Sequence, residues 1–527
     1  MNRIVAVIAA VAMLMLSACN PTGPTTADST SADWTPVAGM PLEEPDQVFR
    51  NDAGVLEVTL TASTETIDVS GSPLGARPFT ASAGGQTFPA KLNAPTLHVR
   101  PGDTIRMTIV NRLGNGTLTN IHYHGLHVTP LGTGDNIFRE FADGQTYQSE
   151  VQVPTNHTRG MFWYHVHHHG NSQGQVMGGM SGLLIIEGIE ELLPQGGSGV
   201  SRERQLALRD VQTSGGSIIT NSEPHRPSIR LVNGLYQPTF SMQSGQYELW
   251  RLANIGSDVF YRIQFENHDF NIIAEDGFPV WEVTSEKELL IPPGKRFDVL
   301  VVGGTPGEYH LQSLPYAQEA TEDGNLTPIP IPQDSENLAT VTVTAPTGPA
   351  APAVPLPTSL MPEEDISDDP IVKRETPFVF GYLYDEQGNL RAGTINGVAF
   401  TADMAPSFSP VLGTIEEWTL QNSTTDDHPF HIHVNDFQVL SVNGQPYDAH
   451  GHQDVVVIPK QYENESGQVV NGEVVVRIKF TDFAGWFVYH CHILQHEDAG
   501  MMATVQVRAN ATDPITPPPT GVAVRHA

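Results

Sequence analysis

The chain has 527 residues, room for about three domains of ordinary size. Charged residues make up only 16%, while Gly and Pro number 48 and 41, a balance that suits short strands and turns and argues against a coiled coil or helical solenoid. A net charge of −32 excludes a nucleic-acid binder, a hydrophobic content of 39% excludes a disordered chain, and two cysteines exclude a disulfide scaffold or a cysteine-based zinc cluster.

In chain order, Met1 to Cys19 has one positive charge, at Arg3, then an apolar run from Ile4 to Leu16, and the ending Leu16-Ser17-Ala18-Cys19. The run is too short to span a bilayer comfortably and reads as an export signal over residues 1–19. Its ending resembles a bacterial lipoprotein box, in which Cys19 carries the lipid. Residues 20–44 are rich in Ser, Thr, Pro and Ala and read as a flexible tether. The expected location is the cell envelope, facing the periplasm, held at a membrane by lipid alone. Asn20 favours the outer membrane.

A turn-and-strand unit then occurs three times. Pro101-Gly102-Asp103 leads an alternating strand ending at Asn111, Ser244-Gly245-Gln246 leads one ending at Asn254, and Leu412-Gly413-Thr414 leads one ending at Asn422. Each has Gly at its second position and Asn at its eleventh. A second element recurs as Gly160-Met161-Phe162-Trp163-Tyr164-His165-Val166-His167 and as Gly485-Trp486-Phe487-Val488-Tyr489-His490-Cys491-His492. The middle copy begins at Gly307 and has Gln312 and Leu314 in place of the histidines. These repeats predict three all-β domains at 45–190, 200–345 and 377–510, each a Greek-key sandwich. A Pro- and Ala-rich acidic linker is expected at 346–376, and a tail at 511–527.

The 21 histidines concentrate in four places: His122-Tyr123-His124, His165-Val166-His167, His428-Pro429-Phe430-His431-Ile432-His433, and His490-Cys491-His492 followed by His496 and Met501. In a strand, residues two apart share a face, so each His-x-His presents two imidazoles together. Cys491 faces away from His490 and His492, so it can bind a different metal from its neighbours. A soft thiolate, two imidazoles and a distant Met define a blue-copper site, and His428, Cys491, His496 and Met501 supply that set. A single His-x-His is more often a surface pair; four of them in the outer repeats, with the lone mature cysteine inside one, are not coincidence.

On these motifs the chain resembles the three-domain bacterial multicopper oxidases, the laccase-like enzymes, over essentially its whole mature length. The resemblance implies cupredoxin-like domains and four copper ions. A type 1 copper would lie on His428, Cys491 and His496 with Met501 axial. A type 2 copper would lie on His122 and His431, and a type 3 pair on His124, His165, His167, His433, His490 and His492. It implies one-electron oxidation of a reducing substrate at the type 1 copper and reduction of O2 to water at the other three. Glu497 and Asp135 match acidic positions of the family and are expected to supply protons. His168 and His169 are not assigned. Asp426 and Asp427 either shape a substrate mouth or are exposed turn residues, and domain 2 is expected to be a spacer with a possible substrate-side wall.

The partners expected are O2 and either a phenol or aromatic amine, as in a laccase, or a metal ion such as Cu(I), Fe(II) or Mn(II). No dense methionine run marks a Cu(I) oxidase, and the acidic surface has a plain solubility explanation, so phenols come first. A copper-storage protein would be marked by lost ligands, and none is lost. A copper nitrite reductase needs fewer His-x-His sets than are present. A monomer is the working expectation.

Overall fold

A computed structural model of the chain describes residues 34–223, 226–316, 321–322, 327–328, 335–346, 355–364, 371–387, 390–406 and 408–519. The signal, Cys19 and the tether as far as residue 33 lie outside them. Among the described residues no helix is long and apolar enough to cross a membrane.

Strands dominate, and they build three β-sandwiches. In the first, a five-stranded sheet that includes Thr104–Arg112 faces a second that ends in Gly160–His165 and His122–His124. The second sandwich is built around Tyr247–Asn254 and the third around Thr414–Asn422. Each is packed by its own cluster of alternating buried residues, with Leu60, Ile105 and Ile109 in the first, Trp250 and Leu252 in the second, and Trp418 and Leu420 in the third. The alternation is what puts one face of each strand inside.

The two residues that mark the repeated unit have repeated jobs. Gly102, Gly245 and Gly413 have φ of 93°, 77° and 87°, a left-handed turn that only glycine takes without strain. Asn111, Asn254 and Asn422 are wholly buried and each ties down the loop that follows its strand. The Asn111 amide donates to the carbonyls of Thr117 and Phe141, that of Asn254 to Val259 and Ile291, and that of Asn422 to Asp426 and Ile458. Their side-chain oxygens accept the backbone N–H of Leu113, Gly256 and Thr424, two residues on.

Two expected connectors depart from the sequence reading. Trp34 to Glu44, expected as tether, are docked: Trp34 is buried, and the segment bridges in parallel to Tyr236 and Thr239. One buried indole and a few backbone pairs outweigh a loop-like composition. The linker is likewise held in part. The Leu360 N–H donates to the Val280 carbonyl, the Val283 N–H to Thr358, and Ile371–Lys373 pairs with Thr414–Asn422. In the tail, the Trp486 indole donates to the Thr516 carbonyl.

A charge cluster clasps the linker to the third sandwich. His452 Nε2 lies 3.0 Å from Glu364 Oε2, His452 Nδ1 meets Asp436, and Lys479 meets the other oxygen of Glu364. Burial alone would lower His452, but Asp436 and Glu364 raise it from 6.5 to about 9. The hydrogen bond from His452 leads the effects that hold Glu364 down at about 2. Because the folded value of His452 is raised, its stabilisation is whole below pH 6.5 and is lost as pH rises through 9; that of Glu364 is lost as pH falls from 4.5 through 2. Thermal melting followed from pH 6.5 to 9 is therefore expected to show a decline that His452→Gln flattens.

Candidate metal centre

The site forms where two sandwiches pair their strands in the same way. His122–His124 runs antiparallel to Gly160–His165 with His122 opposite His165, and His428–Ile432 runs antiparallel to Gly485–Cys491 with His431 opposite His490. Register thus sets imidazole against imidazole within each domain, and the two pairs face one another between the first and third sandwiches.

Eight imidazoles converge there: His122, His124, His165, His167, His431, His433, His490 and His492, all at most 1% exposed. His167 Nε2 lies 3.1 Å from His490 Nε2 and 3.2 Å from His433 Nε2. His492 Nε2 lies 3.2 Å from His124 Nδ1. Nε2 of His122, His165 and His431 has no hydrogen-bond partner. Unpartnered buried nitrogens are costly unless something binds them, so this donor set fits metal ions.

The outer nitrogens explain which way most rings point. His431 Nδ1 meets the Asp454 carbonyl at 2.8 Å, His165 Nδ1 that of Val166 at 2.8 Å, and His490 Nδ1 that of Cys491 at 3.0 Å. His122 Nδ1 lies 2.9 Å from Asp135 Oδ1. A carbonyl can only accept, so each such ring carries its proton outside and turns a lone pair inward. Burial also pushes the imidazoles down, His165 to about 3 and His490 to about 4, which keeps them neutral as ligands must be.

Cys491 Sγ points the other way. It lies 3.4 Å from His428 Nδ1 and 3.6 Å from His496 Nδ1, and those two nitrogens are 3.2 Å apart. Met501 is fully buried, and its carbonyl accepts the Cys491 N–H at 3.1 Å. His428 Nε2 meets Thr424 Oγ1 at 2.8 Å, and that hydroxyl is in turn placed by Asn422. His496 is partly exposed, and its Nε2 meets Tyr382 Oη at 3.2 Å. Burial pushes the Cys491 thiol well up, so a metal must displace its proton to bind.

The two expected carboxylates are both buried beside the histidines. Asp135 accepts from the Tyr123 N–H, and burial raises it to about 8. Glu497 Oε1 accepts from the Ser172 hydroxyl at 2.8 Å and lies 3.3 Å from His167 Nδ1; its Oε2 lies 3.6 Å from His490 Nδ1. Burial holds Glu497 well above the carboxylate range. His168 turns away to Glu140, at 2.7 Å, and His169 packs on Phe400.

Two expectations need correction. Asp426 and Asp427 are not exposed turn residues: both are buried, and they accept hydrogen bonds from the hydroxyls of Tyr382 and Tyr316, each at 2.7 Å. The middle sandwich is more than a spacer, since Gly294 abuts the rings of His124 and His492. Residues missed by sequence reasoning include Asn120, whose oxygen accepts the His167 N–H at 2.6 Å, together with Ser172, Tyr382, Arg296 and Asp454. Asn120, two residues before His122, was open to notice as an extension of the first motif; the others carry no local signal.

Comparison with known proteins agrees with this geometry. Family models described as multicopper oxidase match residues 80–191, 203–330 and 374–511. The chain belongs to the multicopper oxidase family, a family of copper-binding oxidoreductases with cupredoxin-like domains. It is 27% identical over 445 residues to a multicopper oxidase of Staphylococcus haemolyticus, covering 80% of this chain and 83% of that one. It is 26% identical over 471 residues to a laccase of Bacillus subtilis, covering 80% and 85%. In fold it is similar to the multicopper oxidase of Campylobacter jejuni, described as a metallo-oxidase, with a TM-score of 0.72, 22% identity, and 89% and 96% covered.

Copper uptake by the metal-free protein is expected to be as complete at pH 5 as at pH 7, because the buried rings stay neutral well below 6.5. Metal titration followed by elemental analysis would read it, and a loss centred near pH 6.5 would contradict it.

Proposed function

We propose that this chain is a laccase-like oxidase that takes electrons singly from phenols or aromatic amines and passes them to O2. One observation carries the reading: Cys491 belongs to the His428–His496 cluster, while its covalent neighbours His490 and His492 belong to the eight-imidazole cluster. A single stretch of strand therefore joins two sites that are otherwise separate.

In this reading His428, Cys491 and His496, together with Met501, would hold a type 1 copper. His122 and His431 hold a type 2 copper, and His124, His165, His492 and His167, His433, His490 hold the type 3 pair. Copper bound there supplies a one-electron acceptor on one side of Cys491 and, on the other, a site where O2 takes four electrons and four protons to give two waters. The protein keeps these jobs apart. His496 is the partly exposed imidazole of its cluster, and a donor resting against it delivers one electron at a time. The eight imidazoles are buried, which keeps partly reduced oxygen away from bulk solvent. Glu497 holds a proton against His167 and His490, with Ser172 fixing its carboxyl, and Asp135 serves at His122.

An organic donor is favoured over a metal ion by the surroundings of His496. The acidic pair just before His428, Asp426 and Asp427, is engaged by tyrosine hydroxyls rather than presented to a cation. Tyr382 stands beside the ring, with Tyr384 edge-on to it at 6.3 Å and 43% exposed. Aromatic walls of this kind suit a flat organic ring. The signal and tether support export and anchoring at Cys19 in the cell envelope.

The test is oxygen uptake by copper-loaded protein lacking residues 1–19, with phenols, Cu(I), Fe(II) and Mn(II) as rival donors. Fastest uptake with phenols and no peroxide release is expected; a clear preference for one metal ion would replace the reading with a metal oxidase, and silence with every donor would leave a copper-storage protein. Cys491→Ser is expected to abolish both the blue colour and turnover while the fold persists by circular dichroism. Glu497→Gln is expected to slow oxygen reduction about 100-fold while leaving reduction of the blue site by donor unchanged in stopped flow.

A further inference from the structure

The middle sandwich supplies no imidazole, yet one of its turns forms a wall of the eight-imidazole cluster. Gly294 lies between the strands Glu288–Ile291 and Arg296–Val302 with φ of 88°. A Cβ there would stand 3.0 Å from His492 and 3.1 Å from His124, so the backbone approaches the rings as closely as it can. Two residues on, Arg296 is fully buried and reaches across to the third sandwich. Its Nη1 and Nη2 donate to the two oxygens of Asp454 at 2.6 and 2.8 Å.

Every donor of that guanidinium is placed. Nη1 also donates to the Gly294 carbonyl at 3.0 Å, Nη2 to that of Asp276 at 2.7 Å, and Nε to that of Met161 at 3.3 Å. Arg296 thus binds all three sandwiches. Asp276 completes the frame by accepting the N–H of both Asp454 and Val455 at 3.1 Å.

Asp454 in turn touches two histidines. Its carbonyl accepts from His431 Nδ1, and its Oδ1 lies 3.3 Å from His124 Nε2. His124 is the one ring of the eight whose Nδ1, not Nε2, faces a neighbouring imidazole, that of His492. We infer that Arg296 and Asp454 are positioning residues that decide which nitrogen of His124 is offered to the metal. A guanidinium cannot give up its proton, and by forking onto both oxygens it favours Asp454 as the acceptor facing His124. His124 then carries its N–H at Nε2, and the lone pair is left on Nδ1. An acceptor behind a metal-bound imidazole fixes both its proton and its orientation. The inference rests on the copper-cluster reading above, and it gives the middle sandwich a part in the metal site.

The test replaces Asp454 by Asn in the copper-loaded chain. An amide set between Arg296 and His124 must turn its NH2 toward one of them, which breaks the fork or reverses the proton on His124. Copper per chain by elemental analysis is expected to fall below that of the unaltered protein, with affinity at the cluster down about 10- to 100-fold, while the visible thiolate–copper band at Cys491 stays at full strength. Arg296→Gln should follow Asp454→Asn, and Arg296→Lys, which keeps a charge and one hydrogen bond, should restore part of the copper. Full copper content in both Asp454→Asn and Arg296→Gln would overturn the inference. So would parallel loss of copper, visible band and melting temperature of the metal-free protein in all three variants, since that marks a merely structural link. Failure of the copper reading itself is distinguishable, because the unaltered protein would then bind no copper and show no visible band.

Discussion

The constraint on which the structure depends is that eight imidazoles are buried side by side. A charged ring there would meet seven others in a medium that screens little, so each must be neutral and keep one lone pair free. Neutrality comes from burial, but direction has to be built. Carbonyls of Val166, Asp454 and Cys491 each take the outward N–H of a ring, and the Asp135 carboxyl lies against His122 Nδ1. Backbone carbonyls are suited to this because they neither titrate nor rotate. The second cluster is built likewise, with Thr424 and Tyr382 behind His428 and His496.

That demand explains the division of labour among the sandwiches. A single sandwich can turn a His-x-His pair inward on one strand and set its partner opposite, as His122 is set against His165 and His431 against His490. It cannot surround a metal with more. Two sandwiches face to face double the set, and the middle one holds them together through buried charge. A buried ion pair is weak evidence of stability by itself, because desolvation offsets its attraction. The Arg296–Asp454 pair escapes that objection only because all donors of the guanidinium are met. Lys295, next to it, is held by Glu275, Asp276 and the Val455 carbonyl, which adds to the same joint.

What could be read without coordinates was whatever depends on neighbours along the chain. Alternation in a strand is local, so the pairing of His490 with His492 and the opposed direction of Cys491 were legible at once. The all-β class was legible from the repeated turn glycines and strand-ending asparagines for the same reason. Arg296 and Asp454 were not, since 158 residues separate them and neither sits in a pattern. From sequence, Asp426 reads as either a substrate-mouth residue or an exposed turn residue because its partner, Tyr382, lies 44 residues upstream. The tether and linker were misjudged for a compositional reason. Ser-, Pro- and Ala-rich segments look mobile, but Trp34 and the Glu364–His452 pair dock them through single long-range contacts that composition does not register.

Val434 shows how far the fold gives way to the site. It has φ of 68°, a left-handed conformation that a β-branched side chain adopts only under strain of about 1–3 kcal/mol. The residue before it is His433, which must leave its strand and turn its Nε2 toward His167. The turn takes the chain out of the sheet directly after His433, the last histidine of its motif. The surroundings over-determine the turn: the His433 N–H donates to the Val488 carbonyl, and His127 Nδ1, from the first sandwich, donates to the carbonyl of Val434 itself. Strain in one domain is thus held in place by a hydrogen bond from another, and the geometry of the cluster follows from the assembly of the sandwiches rather than from any one of them.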